Sequence, residues 1–240
     1  MKNIIVTIII ASSAYLLPTV HSGISKSYAA EAETGKKAVK VPAMRNRVYT
    51  QLARAQQLAD EGTKLEGFDV LDRVKDQIDS LNSYEKAMLW NFYGFMYYGN
   101  DDMVMAIDSF EKVVSQEAIP SSLRLSTLYS LAQLNMQLED YQQTLVYLKA
   151  WQALNDKALT ADQHVLFAQI YYQSKLFQQS LSSIEQALTV AESKAQTPKE
   201  NWLILQRANY YELKQPIKVT AVLEQLVKYH ESPKYWLQLS

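Results

Sequence analysis

The chain has 240 residues, of which 48% are apolar, with six Gly, six Pro and a formal net charge of −1. That composition excludes a disordered chain and a turn-rich β fold, and near-neutrality removes the basic field that draws proteins to nucleic acid or anionic lipid. Cysteine is absent, which excludes disulfides, thiolate metal sites and cysteine nucleophiles together.

The first element in the chain is of a separate kind. Lys2 precedes an apolar run from Ile4 to Leu17, broken only by Thr7, Ser12 and Ser13 and closed by Pro18. Ser27-Tyr28-Ala29 then places small side chains at −3 and −1 of a candidate cleavage point. Residues 1–29 read as a secretory signal peptide, because the run is too short and too often interrupted for a stable span. An uncleaved membrane anchor is the alternative, and without a cysteine after the run a bacterial lipoprotein is excluded. Residues 30–43, with Glu31, Glu33, Gly35, Lys36 and Lys37, are polar and aperiodic and read as a flexible leader.

From there on apolar residues recur at helical spacing. The stretch Trp90-x-x-Tyr93-Gly94-x-x-Tyr97, followed by Ala106-x-x-x-Phe110 and Pro120, is the tetratricopeptide (TPR) signature with one aromatic in place of Leu. The small residue of the first helix of each pair, helix A, recurs as Ala55, Gly94, Ala132, Ala168 and Arg207, at intervals of 39, 38, 36 and 39 residues. Its aromatic recurs as Tyr97, Tyr171 and Tyr210, with Leu58 and Asn135 in the other copies. The small residue of helix B appears as Gly67, Ala106, Thr144, Ser180 and Val219. The spacing predicts an all-α, TPR-type α-solenoid of about five helical hairpins over residues 44–240, with repeats at 44–80, 84–118, 122–156, 161–195 and 199–231.

Thr160-Ala161-Asp162-Gln163 and Thr197-Pro198-Lys199-Glu200 read as capping boxes that open the fourth and fifth pairs. Residues 233–240 read as the start of a sixth helix A, with Trp236 and Leu239 in the signature positions. So short a helix is marginal in water, so we expect a shortened form of a longer protein; the alternative is a frayed cap.

No catalytic constellation emerges. His164 occupies the slot that Trp90 fills in the second repeat and reads as a structural residue. His230 ends a helix B, where a cation complements the helix dipole. Neither has a second histidine at metal-ligating spacing, and no nucleophile elbow or phosphate loop occurs. The row Asp69, Asp72, Asp76 and Asp79 alternates with Arg73 and Lys75 and reads as a solvated face. The expectation is therefore a non-enzyme without cofactor, metal or small-molecule substrate.

Function then falls to the concave surface that stacked repeats form. Helix A positions facing it select Asn91, Phe95 and Tyr98, then Tyr129 and Gln133, then Gln169 and Tyr172, then Tyr211; the same register also takes in Leu52 and Val165. Tyrosine offers rigid area with a polar tip, and amides can hydrogen-bond the backbone of an extended peptide. A carboxylate clamp needs Lys or Arg in these slots and is disfavoured.

Three stretches carry a more specific likeness: MRNRVYTQLARAQ (44–56), NSYEKAMLWNFYGF (82–95) and SSLRLSTLY (121–129). The chain resembles secreted TPR proteins of γ-proteobacteria associated with ExbB–ExbD–TonB energy transduction. The likeness covers residues 42–150 well and the rest loosely. It implies a periplasmic accessory to TonB-dependent iron or siderophore uptake, with a protein partner of the TonB/ExbD type. Contact with the membrane would then run only through that partner. A scaffold for cell-wall or outer-membrane assembly is the alternative function.

Overall fold

Helical periodicity is realised without interruption. In a computed structural model, which describes residues 40–239, eleven α-helices and one 3-10 turn follow one another, with no strand among the described residues. The signal-like segment and residues 30–39 of the leader lie outside the described residues. Helices A are α1 (Asn46–Asp60), α3 (Ser83–Tyr98), α5 (Ser121–Gln137), α7 (Ala161–Gln173) and α9 (Glu200–Glu212). Helices B are α2 (Lys64–Lys75), α4 (Met103–Val114), α6 (Tyr141–Leu154), α8 (Phe177–Ser193) and α10 (Pro216–His230). A final α11 spans Pro233–Leu239. Each A packs on its own B and each B on the next A, which is the stacking expected of the repeat.

Within a hairpin the two helices approach closely because the small residues are buried between them. A Cβ on Gly94 would lie 2.6 Å from the Phe110 ring, and one on Gly67 would lie 3.0 Å from the Ala55 carbonyl. Ser180 does the same work with a polar atom, its hydroxyl donating to the Ala168 carbonyl at 2.7 Å.

Every A–B turn closes in the same way. Gly62, Asp101, Glu139, Lys175 and Lys214 have φ between 55° and 88°, the left-handed region in which glycine alone is unstrained. The residue after each donates its N–H to Leu58, Tyr97, Asn135, Tyr171 or Tyr210 at 2.8–3.0 Å, while the left-handed residue itself reaches a carbonyl three residues back. Both bonds of the Schellman motif are thus present in all five turns. The accepting carbonyls belong to the helix A aromatic position, so the turn falls in constant register.

The helix starts are capped unevenly. Asn82 and Glu85 form a capping box, as do Thr160 and Gln163, and Asp102 and Asp140 cap α4 and α6. The box expected at Thr197-Pro198-Lys199-Glu200 does not form. Lys199 is the N-cap of α9 and has no side-chain cap bond; the Pro198 carbonyl lies 2.9 Å from His230 Nε2, and Lys199 pairs with Asp162 at 2.7 Å. Tertiary contacts displace the local signal. In α11 Tyr235 is buried and bonded to Glu200, whereas Trp236 is 61% exposed. The core contact therefore falls one residue earlier than the sequence register placed it.

The edge formed by the helix A starts is fastened across repeats. Arg45 reaches Glu85 through its backbone N–H and its guanidinium at 2.7–2.8 Å, and Asn82 Nδ2 donates to the Ala43 carbonyl. Lys199–Asp162 and Lys234–Glu200 repeat the arrangement further along. The Glu85 carboxylate is fully enclosed. Burial pushes its pKa up, but the bonds from Arg45 and from the Arg45 and Asn82 amides outweigh it and hold the carboxyl below the usual glutamate range.

Two outcomes follow for stability. Lys175→Gly removes a left-handed lysine at no contact cost and should raise stability by about 0.5–1 kcal/mol in urea unfolding, whereas Lys175→Ala, which keeps a Cβ, should bring no such gain. A depressed carboxylate stabilises above its unfolded pKa and stops doing so as pH falls through its folded value. Wild type should thus lose helical signal as pH drops below about 4, and Glu85→Gln, weaker at neutral pH, should show a visibly flatter acid profile.

Candidate protein-binding groove

All eight residues singled out as the groove lie on helices A: Asn91, Phe95 and Tyr98 on α3, Tyr129 and Gln133 on α5, Gln169 and Tyr172 on α7, and Tyr211 on α9. Seven are half-buried and Tyr211 is 73% exposed. Leu52 and Val165, which share the register, are instead buried at 1% and 5% exposure and belong to the core. The rim of each helix is too narrow to expose every residue of the consensus set.

Contacts between neighbouring repeats connect the stripe. Phe95 and Tyr98 pack on a cluster that includes Leu131 and Leu134 of α5. Tyr129, Gln133 and Met136 of α5 line one small, open depression together with Leu166 and Ile170 of α7 and Thr144 and Leu148 of α6. Burial, and the nearby Glu212 carboxylate on α9, push the Tyr172 phenol up. That hydroxyl stays protonated at neutral pH and remains available as a donor. Across four repeats the stripe carries phenols, amides and a phenyl ring, and no Lys or Arg.

Several of its aromatics also serve the fold. The Phe95 ring meets Phe110 edge-on with centroids 5.2 Å apart, Tyr129 leans on Trp151 at 5.6 Å, and Tyr172 meets Phe177 at 5.4 Å. Trp151 and Phe177 sit on helices B and border the groove. The sequence register takes groove residues from helices A alone and therefore selects neither ring.

Outside the stripe, several polar groups serve the fold. Asp72 accepts from the Tyr93 hydroxyl at 2.6 Å and from Lys75 at 2.9 Å, which hold its carboxyl below the usual range, Tyr93 first. His164 is half-buried, and burial lowers its pKa, so it is neutral at pH 7. Among the described residues no group of three or more His, Cys, Asp or Glu is placed to hold a metal ion. No helix among them is long and apolar enough to cross a membrane.

No protein-family model and no curated protein matches the chain. Solved structures do resemble it. A putative kinesin light chain with nearly identical TPR-like repeats, from Podosopora anserina, is similar with a TM-score of 0.52 at 20% identity, over 78% of this chain and 98% of that one. The TPR protein YrrB gives 0.56 at 15% identity, over 80% and 92%. MamA from Desulfovibrio magneticus RS-1 gives 0.53 at 14%, over 79% and 96%. The fold is a TPR-type α-solenoid. At these identities the likeness speaks for the fold alone, that of a stack of helical repeats.

Because Phe95 seats on Phe110, Phe95→Ala should cost about 1–3 kcal/mol in chemical unfolding. Tyr211→Ala, at an exposed position, should stay within about 0.5 kcal/mol of wild type. Only the second is therefore a clean probe of binding.

Proposed function

We propose that this protein is a non-enzymatic adaptor of the periplasm that grips an extended segment of a protein partner in its helix A groove. The observation that carries the reading is the uncharged stripe itself: Asn91, Tyr98, Gln133, Gln169, Tyr172 and Tyr211 present donors and acceptors at neutral pH and offer no fixed charge. Such a surface suits main-chain recognition better than capture of a carboxylate or a basic tail. YrrB, of the same fold, is described as having an unusual peptide-binding site, and peptide capture here extends that precedent by analogy. The signal-like residues 1–29 support export. The strings at 44–56, 82–95 and 121–129 support a TonB/ExbD-type partner and a role as accessory to iron or siderophore uptake.

Capture from envelope extracts checks this. The exported protein should retain a discrete set of proteins that includes TonB-system components. A folded Tyr98→Ala/Tyr172→Ala variant should recover them at least about tenfold less well. Identical partner sets for the two proteins would sink the groove assignment.

A further inference from the structure

In each helix A, the residue just before the small position and the residue two beyond it face helix B of the preceding repeat. On α3 these are Tyr93, which bonds Asp72 and lies beside Phe68 of α2, and Met96, whose methyl sits against Gly67. On α5 they are Leu131 and Leu134, packed with Phe110 and Val113 of α4. On α7 they are Phe167 and Ile170, packed with Leu145 and Leu148 of α6. On α1, which has no described repeat before it, they are Arg54 and Gln57, and both are exposed.

On α9 the same two positions are amides. Gln206 is 8% exposed and Asn209 0%, and the register aims both at α8. Their neighbour Tyr210 confirms the direction, its hydroxyl donating to Glu185 of α8 at 3.0 Å. Asn209 Nδ2 donates to the Leu205 carbonyl within its own helix at 2.9 Å. No protein group donates to Asn209 Oδ1 or to Gln206 Oε1. Two buried acceptors thus face a seam that is apolar in the two repeats before it, and a buried acceptor without a donor is costly to keep dry. The fifth repeat is also less tightly closed on itself. Arg207 stands where the other repeats have Ala or Gly and turns to Gln238 of α11; Val219 stands, only half-buried, where Gly67, Ala106, Thr144 and Ser180 are buried.

We propose that the α8–α9 seam is a built-in opening point. The fifth repeat and α11 separate from the fourth as one unit, and water then donates to Gln206 Oε1 and Asn209 Oδ1, while the α4–α5 and α6–α7 seams stay closed. Opening lets both oxygens recover hydrogen bonds that the closed seam denies them, a cost that the apolar α4–α5 and α6–α7 seams do not carry. A linear array opens at its weakest interface. Tyr172 and Glu212 straddle the seam, so its opening resets the width of that end of the groove. This last consequence rests on the proposed function; the opening itself does not.

Native-state hydrogen exchange on the full-length protein without any partner tests the seam alone, so its failure and that of the groove assignment are read separately. Amides of α9 and α10 should open on the order of tenfold more often than those of α3–α8. Gln206→Leu/Asn209→Leu, which restores the residues of the third repeat, should slow α9–α10 exchange by a similar factor and leave α3–α6 unchanged. A second measurement does not need that variant to fold. The natural chain has no cysteine, so Val113→Cys on α4 and Ala187→Cys on α8 place single thiols at equivalent, fully buried helix B positions. Maleimide should label the thiol at 187 roughly tenfold faster. Uniform exchange from α3 to α10 with equal labelling at the two positions would overturn the proposal.

Discussion

Each helix A completes the repeat before it. Leu131 and Leu134 fill the face of α4, and Phe167 and Ile170 fill that of α6, so no hairpin buries its own apolar surface without a neighbour. The remaining features follow from this one-directional dependence. The first helix A carries Arg54 and Gln57, both exposed, at the positions where α5 and α7 carry apolar side chains. Cohesion runs along the stack as a chain of local contacts and not through one central core, so its strength can differ from seam to seam.

The same arrangement explains why the candidate stripe is built from aromatics and amides. Side chains on the exposed rim of a helix A stand between a core position and solvent. Phe95 and Tyr172 each rest on a helix B ring and present one edge outward. A ring held on one side has few conformations left to lose when a partner covers the other. None of the eight stripe residues is charged, and a lysine or carboxylate whose base lay against Phe110 or Trp151 would be partly desolvated without a partner.

Much of this was legible in the sequence. The intervals between Ala55, Gly94, Ala132, Ala168 and Arg207 reappear in the left-handed turn residues from Gly62 to Lys214, because both count the same repeat. Helix ends were legible where a local cap decides them, as at Thr160 and Gln163. They were not where tertiary contacts win: Pro198 and Lys199 are claimed by His230 and Asp162, and Tyr235 displaces Trp236 from the core. Leu52 and Val165 were placed on the groove because a consensus position states direction and not depth. Gln206 and Asn209 went unnoticed because an amide inside a polar-looking helix is ordinary until its burial is known.

The ion pairs at the helix A starts give the solenoid two unlike edges. Along one, neighbouring repeats are joined by the tips of long side chains: Arg45 to Glu85, Lys199 to Asp162, Lys234 to Glu200. Along the other, each hairpin is closed by main-chain hydrogen bonds in a tight turn. Main-chain bonds within a turn are indifferent to dissolved ions, whereas exposed charge pairs weaken as ionic strength rises. Raised ionic strength therefore bears on the exposed pairs Lys199–Asp162 and Lys234–Glu200, and leaves the enclosed Glu85 carboxylate and the turns largely untouched.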